Sequence, residues 1–271
     1  MNAALRDVAD GLAQLCWPAR CAACAVFVAE ESVFCAACHA GVYALGEDED
    51  GGGAGFCTRC ALPRDAAGGG RGVHGPQCGV CARTDPAFAR THAAVLYGEA
   101  VATAIVRMKH GGHRHLSRRL ARLLWPALRR AMQTRGGSDA PSAVLPVPLH
   151  PRKLRRRGFN QALDLALWAC RIARAGTANA HLAPALPPVE RSTLLRIRNT
   201  AELGHAGPAE RRHLVAGAFA IAPRARAAVV GRRFLLVDDV MTTGATVGEC
   251  ARVLRSGGAA QVDVVVLARA P

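Results

Sequence analysis

From about residue 87 to the C-terminus, apolar positions switch repeatedly between the spacing of strands and the spacing of helices. Runs typical of strands occur at residues 93–97, 143–147, 233–237 and 262–267. Helical spacing occurs at residues 99–109, 115–132, 161–175 and 246–257. Because strands that alternate with helices form right-handed βαβ units, this part predicts an α/β fold with a largely parallel sheet flanked by helices.

The first 88 residues lack this periodicity, and glycine-rich stretches at residues 46–55 and 65–75 divide them. Four C-x-x-C pairs occur here: Cys21/Cys24, Cys35/Cys38, Cys57/Cys60 and Cys78/Cys81. Two thiolates separated by two residues can face one ion from a tight turn, and two such turns complete a closed tetrahedral site. Eight ligands therefore predict two structural zinc sites, most simply formed by consecutive pairs.

Other interpretations of the cysteines remain open. A redox-active pair needs only one C-x-x-C in a βαβ context, which this region lacks. Cys16 is a ninth cysteine outside the pattern, and His39 or His74 is a substitute ligand if one pair is imperfect. We expect residues 1–88 to form a small double zinc-ribbon module with an N-terminal helix, which needs the metal to fold, and residues 89–271 to form the α/β domain.

Charge is unevenly distributed along the 271 residues. Residues 1–90 carry seven Lys or Arg against ten Asp or Glu, whereas residues 91–271 carry 28 against ten, and the net charge is +15. A basic domain favours nucleic acid, polyphosphate metabolites or an acidic membrane surface, without choosing among them. No stretch is apolar enough to span a membrane and no secretory signal is readable, so we expect a cytoplasmic protein.

Residues 234–246 combine a hydrophobic run, two adjacent carboxylates and a turn rich in threonine and glycine that opens a helix. Helix N-terminal amides and threonine hydroxyls form a site for a phosphate dianion, and Gly244 lets the backbone approach it closely. Asp238 and Asp239 are placed to accept hydrogen bonds from ribose hydroxyls, and one of them to orient a magnesium-bound water. The pattern predicts a sugar-phosphate site, whose phosphate loop consists of Thr242, Thr243, Gly244, Ala245 and Thr246.

This segment resembles the phosphoribosyl pyrophosphate signature of type I phosphoribosyltransferases. More narrowly, the chain is similar to the ComF family of competence-associated, phosphoribosyltransferase-like proteins. The narrower match rests on LPVPLHPR at residues 145–152, RRRGFNQ at residues 155–161, Ala218-Phe219, the phosphate loop and the cysteine pairs. The resemblance implies a type I phosphoribosyltransferase-like sheet, binding of phosphoribosyl pyrophosphate with Mg²⁺, and a role in natural competence and DNA uptake. Lys109 matches a lysine common in the family, without an evident role.

In type I enzymes the loop after the first core strand binds pyrophosphate, and the resemblance gives this role to residues 148–158. Guanidinium groups bind phosphate oxygens in bidentate fashion, which suits a highly charged leaving group. The same side chains are able to hold a nucleic-acid backbone instead, but pyrophosphate is favoured, because the run directly follows a strand edge where the cleft of such a sheet lies. Single-stranded DNA and DNA-uptake proteins are further expected partners. The residues concerned are Pro148, His150, Arg152, Lys153, Arg155, Arg156 and Arg157.

The resemblance also places a catalytic loop around Arg198 and Thr200, which would act together with the two aspartates. Here Leu203 and Leu214 stand where the family has Gln and Asn, so turnover is more in question than sugar-phosphate binding. Two hypotheses follow: a phosphoribosyltransferase with an unknown acceptor, or a non-catalytic single-stranded DNA-binding module that retains the pocket. The aromatic content of 4% leaves little material for stacking bases.

Overall fold

The computed structural model describes residues 18–46, 55–63, 77–110, 112–133, 140–175, 186–200 and 207–271. Cys16, His74, Leu203 and the predicted N-terminal helix lie outside these residues. Within them, no helix is both long and apolar enough to cross a lipid bilayer.

Within the described residues, four strands form one parallel sheet in the order β1-β6-β5-β2, and β3 pairs antiparallel with β4. The strands are β1 (Thr91–Leu96), β2 (Ala143–Pro146), β3 (Leu194–Arg196), β4 (Phe219–Ile221), β5 (Arg233–Met241) and β6 (Gln261–Arg269). The α-helices are α1 (Ala36–His39), α2 (Gly79–Thr84), α3 (Glu99–His110), α4 (Leu116–Gln133), α5 (Pro151–Arg157), α6 (Gln161–Ala175), α7 (Pro208–Val215), α8 (Arg226–Val229) and α9 (Ala245–Ser256). The predicted parallel sheet flanked by helices is confirmed.

The sheet separates two apolar layers. Helices α3, α4 and α6 pack on one face against Leu235, Val237 and Val265, whereas α9 packs on the other against Leu236 and Val264. Residues 43–45 hydrogen-bond to the outer edge of β1 and so cover it. The sheet is therefore buried on both faces, as all-parallel sheets are.

Three segments depart from the prediction. Strand β5 continues four residues past its predicted end, because the aspartate segment still pairs with β6. The expected loop at residues 148–158 contains helix α5, since Pro151 occupies its first turn, His150 caps it and Gly158 ends it at φ 81°. Residues 190–214, which include none of the predicted strands or helices, contain β3 and most of α7.

Candidate sugar-phosphate site

Two connections meet at the carboxyl edge of the sheet. Strand β2 leads through residues 147–150 into α5, and the neighbouring β5 leads through the phosphate loop into α9. The Val147 amide donates to the Val237 carbonyl at 2.9 Å, and the Asn160 side chain donates to the Val147 carbonyl at 3.0 Å. Asn160 also caps α6, because its side-chain oxygen accepts from the Ala162 amide at 2.9 Å. Crevices at this edge are where open α/β sheets bind ligands.

Asp239 faces the α3/α6 side of the sheet. It is 3% exposed and forms an ion pair with Lys109 at the end of α3. Burial opposes ionisation, but the charge of Lys109 and hydrogen bonds from Lys109 and Gln161 lower the pKa of Asp239. Gln161 in turn accepts a hydrogen bond from Arg157 at 2.7 Å. Asp239 is therefore a charged group that already has partners on this face.

Asp238 belongs to the opposite face. It lines a small open hollow together with the phosphate loop and Val247, and its Oδ1 accepts from the Asp239 amide at 2.9 Å. Burial and the neighbouring Asp239 raise the pKa of Asp238 well above its ordinary value. A buried carboxylate with this environment favours a proton or a cation beside it. The two aspartates, which the sequence presented as a pair, have different surroundings.

The phosphate loop makes close contacts at Thr242 and Gly244. Gly244 has φ +75°, and a Cβ added there would lie 2.8 Å from the Met241 methyl group. Arg211 donates to the Thr242 hydroxyl at 2.7 Å. Arg269 donates to the carbonyls of Met241 and Thr242 at 3.0 and 2.6 Å. The backbone of the loop is thus fixed on its inner side while its threonines line the hollow.

Five of the seven residues in α5 are cationic, and three of them lie in its last turn, where the helix dipole favours positive charge. The helix is capped by the His150 side chain, which accepts from the Arg152 amide at 3.2 Å. Burial and the charges of Arg152 and Arg196 lower the pKa of His150, so the surroundings of this imidazole are strongly positive. The cationic segment keeps its predicted place next to the sheet edge, but as a helix.

Arg198 and Thr200, the two residues expected in the catalytic loop, contact other residues of their own segment and of α7. Arg198 donates to the Leu214 carbonyl at 3.0 Å, so this leucine contributes its backbone. Thr200 is buried and accepts a hydrogen bond from Arg196. Burial lowers the pKa of Arg196, and attraction to the charge of Asp238 is among the effects that partly offset this.

Sequence reasoning missed Lys109, Gln161 and Arg196 as members of the site. Lys109 had only the family resemblance as a signal, and no periodicity links it to β5, which lies more than a hundred residues along the chain. The RRRGFNQ motif contained Gln161, which was assigned to a helix rather than to the site. Arg196 gave no signal, because a single arginine in an arginine-rich segment is indistinguishable from its neighbours.

The cysteines form two groups, each with its sulfur atoms within 4.8 Å of one another. The Cys24 and Cys35 sulfurs, like those of Cys60 and Cys78, lie 3.7 Å apart. A tetrahedral zinc site with bonds of about 2.3 Å places its sulfurs about 3.8 Å apart, so the spacing fits zinc and is far from a disulfide bond. The first cysteine cluster consists of Cys21, Cys24, Cys35 and Cys38; the second consists of Cys57, Cys60, Cys78 and Cys81.

Electrostatics within the second cysteine cluster also fit a cation. Hydrogen bonds from Cys60 and Cys81 lower the pKa of Cys57, whereas Cys57 and Cys60 raise the pKa of Cys81. Four thiols at this distance do not all ionise unless a positive charge lies between them. The predicted grouping of consecutive pairs into clusters that can bind zinc is confirmed.

Several known proteins are similar in sequence to most of this chain. A family model described as phosphoribosyl transferase domain matches residues 190–271. Competence protein F of Haemophilus influenzae is 32% identical over 193 residues, which cover 71% of this chain and 78% of that protein. Two proteins named DNA utilization protein YhgH, from Salmonella typhi and Escherichia coli strain K12, are each 30% identical over 79% of this chain and 84% of their own length.

Proposed function

Because this chain belongs to the ComF family, represented by competence protein F, we propose that it binds phosphoribosyl pyrophosphate with Mg²⁺ and acts in the cytoplasm in DNA uptake. One observation carries the proposal. The carboxyl edge of the sheet brings a buried aspartate, a threonine-lined hollow and a cationic helix together. These groups match the ribose, the 5′-phosphate and the pyrophosphate of one ligand.

The phosphate loop would hold the 5′-phosphate, because its threonine hydroxyls border the hollow at the start of α9. Asp238 would accept hydrogen bonds from the ribose hydroxyls. Its carboxylate is also the type of ligand that Mg²⁺ prefers, and the ion would neutralise charge on the leaving group. Asp239 would act mainly through its ion pair with Lys109, which holds the end of β5 in place.

Helix α5 would bind the pyrophosphate group through its arginines, which form bidentate bonds with phosphate oxygens. Transfer would break the bond between the anomeric carbon and pyrophosphate and form a bond from that carbon to a nitrogen of the acceptor. The acceptor nitrogen loses a proton, and pyrophosphate leaves with the bonding electrons. The protein's own contribution is to position the reactants and to stabilise charge.

Isothermal titration of phosphoribosyl pyrophosphate with Mg²⁺ into the wild-type chain and an Asp238→Asn variant tests the proposal. We expect the variant to lose at least tenfold in affinity, since hydrogen bonds to charged groups contribute about 1.5–3 kcal/mol. Asp263→Asn is the matched control, because Asp263 is equally buried but lies near the amino end of the adjacent β6. Equal affinity in all three chains, or binding in none, would overturn the proposal.

A second candidate function, binding of single-stranded DNA, is favoured by the density of cations on α5. If DNA lies along this helix, log affinity should fall with log salt at a slope of roughly −0.7 for each phosphate contact. Replacing Arg152 and Arg155 by Gln should make that slope shallower by about one to two units. An unchanged slope would exclude α5 as the DNA contact while leaving sugar-phosphate binding untouched.

A further inference from the structure

Arg269 connects the second cysteine cluster to the phosphate loop. It is the last residue of β6 and is 4% exposed. Its Nε donates to the Cys60 carbonyl at 2.7 Å, and its Nη1 donates to the Met241 and Thr242 carbonyls described above. A further hydrogen bond reaches the Ala270 carbonyl. One planar guanidinium group therefore joins the turn that carries Cys60 to the end of β5 and the first residue of the phosphate loop.

Arg269 has no carboxylate partner among the residues that the structure describes. None of the ion pairs among the described residues includes this side chain, and its partners there are carbonyl oxygens. A buried cation needs compensating negative charge. A Zn²⁺ ion held by four thiolates leaves net negative charge on the second cysteine cluster, whereas four neutral thiols supply none. Metal binding would thus stabilise Arg269 in the position that holds the loop.

Packing supports the same connection. The four cysteines of the second cysteine cluster belong to one apolar layer with Phe88, Met241 and Val247. Phe88 lies next to the phosphate loop, since a Cβ added at Gly244 would approach its ring at 3.8 Å. The turn that carries Cys60 and the start of the phosphate loop are therefore joined by the hydrogen bonds of Arg269 and border the same apolar layer.

From these contacts we infer that Arg269 is a positioning residue through which metal at the second cysteine cluster orders the phosphate loop. The inference rests on the proposed function and adds a metal-dependent control of the same site. By thermodynamic reciprocity, a ligand on the loop must then strengthen metal binding at this cluster. The first cysteine cluster should show no such effect through Arg269, since it lies on the opposite face of the sheet.

Arg269→Lys tests the inference, because it keeps the charge and removes the planar fork. Arg107→Lys is the matched control: Arg107 donates to the carbonyls of Cys21, Ala22 and Ala23, in the turn that carries the first pair of the first cysteine cluster. In the zinc-loaded chain, we expect Arg269→Lys to raise hydrogen exchange at residues 241–247 and to weaken phosphoribosyl pyrophosphate binding by roughly tenfold, as loss of groups that support metal ligands does. Arg107→Lys should change neither. Wild-type exchange at residues 241–247 in Arg269→Lys would overturn the inference.

A second measurement uses the wild-type chain and does not depend on how a variant folds. Zinc withdrawal by a chromophoric chelator should show two phases, and phosphoribosyl pyrophosphate with Mg²⁺ should slow one of them. Removal of that zinc should also raise hydrogen exchange at residues 241–247. If the ligand binds but slows neither phase, the coupling is wrong although the proposed function stands. If the ligand does not bind at all, the proposed function fails, and the exchange of residues 241–247 with and without zinc still decides the coupling.

Discussion

The two cysteine clusters are built alike and are used differently. In each, the first pair lies on a short hairpin turn that a left-handed alanine follows, Ala25 at φ 66° and Ala61 at φ 55°. In each, the second pair begins at the N-cap of a short helix, α1 or α2. A repeated unit thus supplies both clusters, so the difference between them comes from where each one packs.

The first cysteine cluster lies on the α3/α4 face and is partly open, since Cys24 is exposed. Arginines of these helices hold the segment that carries it: Arg107, Arg119 and Arg122 donate to carbonyls of residues 22, 32 and 30. It connects to Asp239 through helix α3, which carries Arg107 and ends near Lys109. The second cysteine cluster is buried, and Arg269 joins the Cys60 carbonyl to the Thr242 carbonyl of the phosphate loop. The two clusters have the same ligands. They differ in burial and in how directly each one is connected to the phosphate loop.

Removal of one ligand from each cluster should give the largest difference between them. We expect Cys78→Ser to lower the free energy of unfolding by about 4 kcal/mol, because it removes a buried ligand and its metal from the core. For a chain of this size that is a fall in Tm of roughly 10 °C. Cys24→Ser changes an exposed ligand and should cost clearly less. Calorimetry with zinc analysis of each chain measures both, and equal losses would show that the two clusters are equivalent.

Breaking the ion pair between Lys109 and Asp239 tests how much the face of the sheet next to the first cysteine cluster contributes to the free energy of unfolding. Lys109→Met leaves a buried carboxylate without its cation and should cost about 3 kcal/mol. Asp239 has a lowered pKa, so the pair stabilises the fold above the unfolded pKa of about 4 and loses this effect as pH falls through the folded pKa. The cost of Lys109→Met should therefore shrink in acid. Denaturant unfolding at several pH values checks this.

A double variant provides the control for the ion pair. Lys109→Met combined with Asp239→Asn removes both charges and should recover part of the lost stability. Strictly additive losses would show that the two side chains do not depend on each other.

Much of the fold was predictable from local pattern. Helix α6 was predicted with its observed bounds, since apolar spacing and the motif before it agree. The ends of β5 and the conformation of α5 were not, for different reasons. The hydrophobic run ends before Asp238, yet β5 continues because Asp238, Val240 and Met241 still pair with β6. In α5 the dense cations drew attention to phosphate binding, so the helix-capping residues His150, Pro151 and Gly158 were not recognised as such. The hydrophobic pattern indicates which residues of a strand or helix are buried. Tertiary contacts decide whether the element continues into neighbouring charged residues.

The site was predictable as a set of sequence motifs and not as an arrangement. From the sequence both aspartates were expected to accept hydrogen bonds from ribose hydroxyls, but neighbouring residues of a strand point to opposite faces. Arginine content suggested a phosphate-binding or DNA-binding surface. Several arginines instead donate to backbone carbonyls within the fold, as Arg269 and Arg107 do, which no composition reveals.

Gly244 in the phosphate loop and Gly231 before β5 both have positive φ, so substitutions at the two positions can be compared. Gly244 and Gly231 have φ of +75° and +71°, so an alanine at either costs about 1 kcal/mol of backbone strain. At Gly244 the new Cβ also meets the Met241 methyl group at 2.8 Å, whereas at Gly231 nothing lies within 4 Å. We expect Gly244→Ala to cost about 2 kcal/mol and to weaken phosphoribosyl pyrophosphate binding roughly tenfold. Gly231→Ala should leave the affinity unchanged, and a similar loss in both would remove the argument from contact.

The smallest expected effect is a gain in stability, and it separates the two aspartates by sign. The raised pKa of Asp238 means that the folded chain holds its proton above the unfolded pKa of about 4, so the free energy of unfolding falls as pH rises toward the folded pKa. Asp238→Asn carries no such charge. It should match the wild type near pH 4 and exceed it by about 1 kcal/mol at pH 8 in the absence of Mg²⁺. Asp239→Asn should instead lose stability at pH 8, because it deprives Lys109 of its partner. Urea unfolding of both variants across this range decides the matter, and losses of equal size in the two would mean that the faces of the sheet do not distinguish these carboxylates.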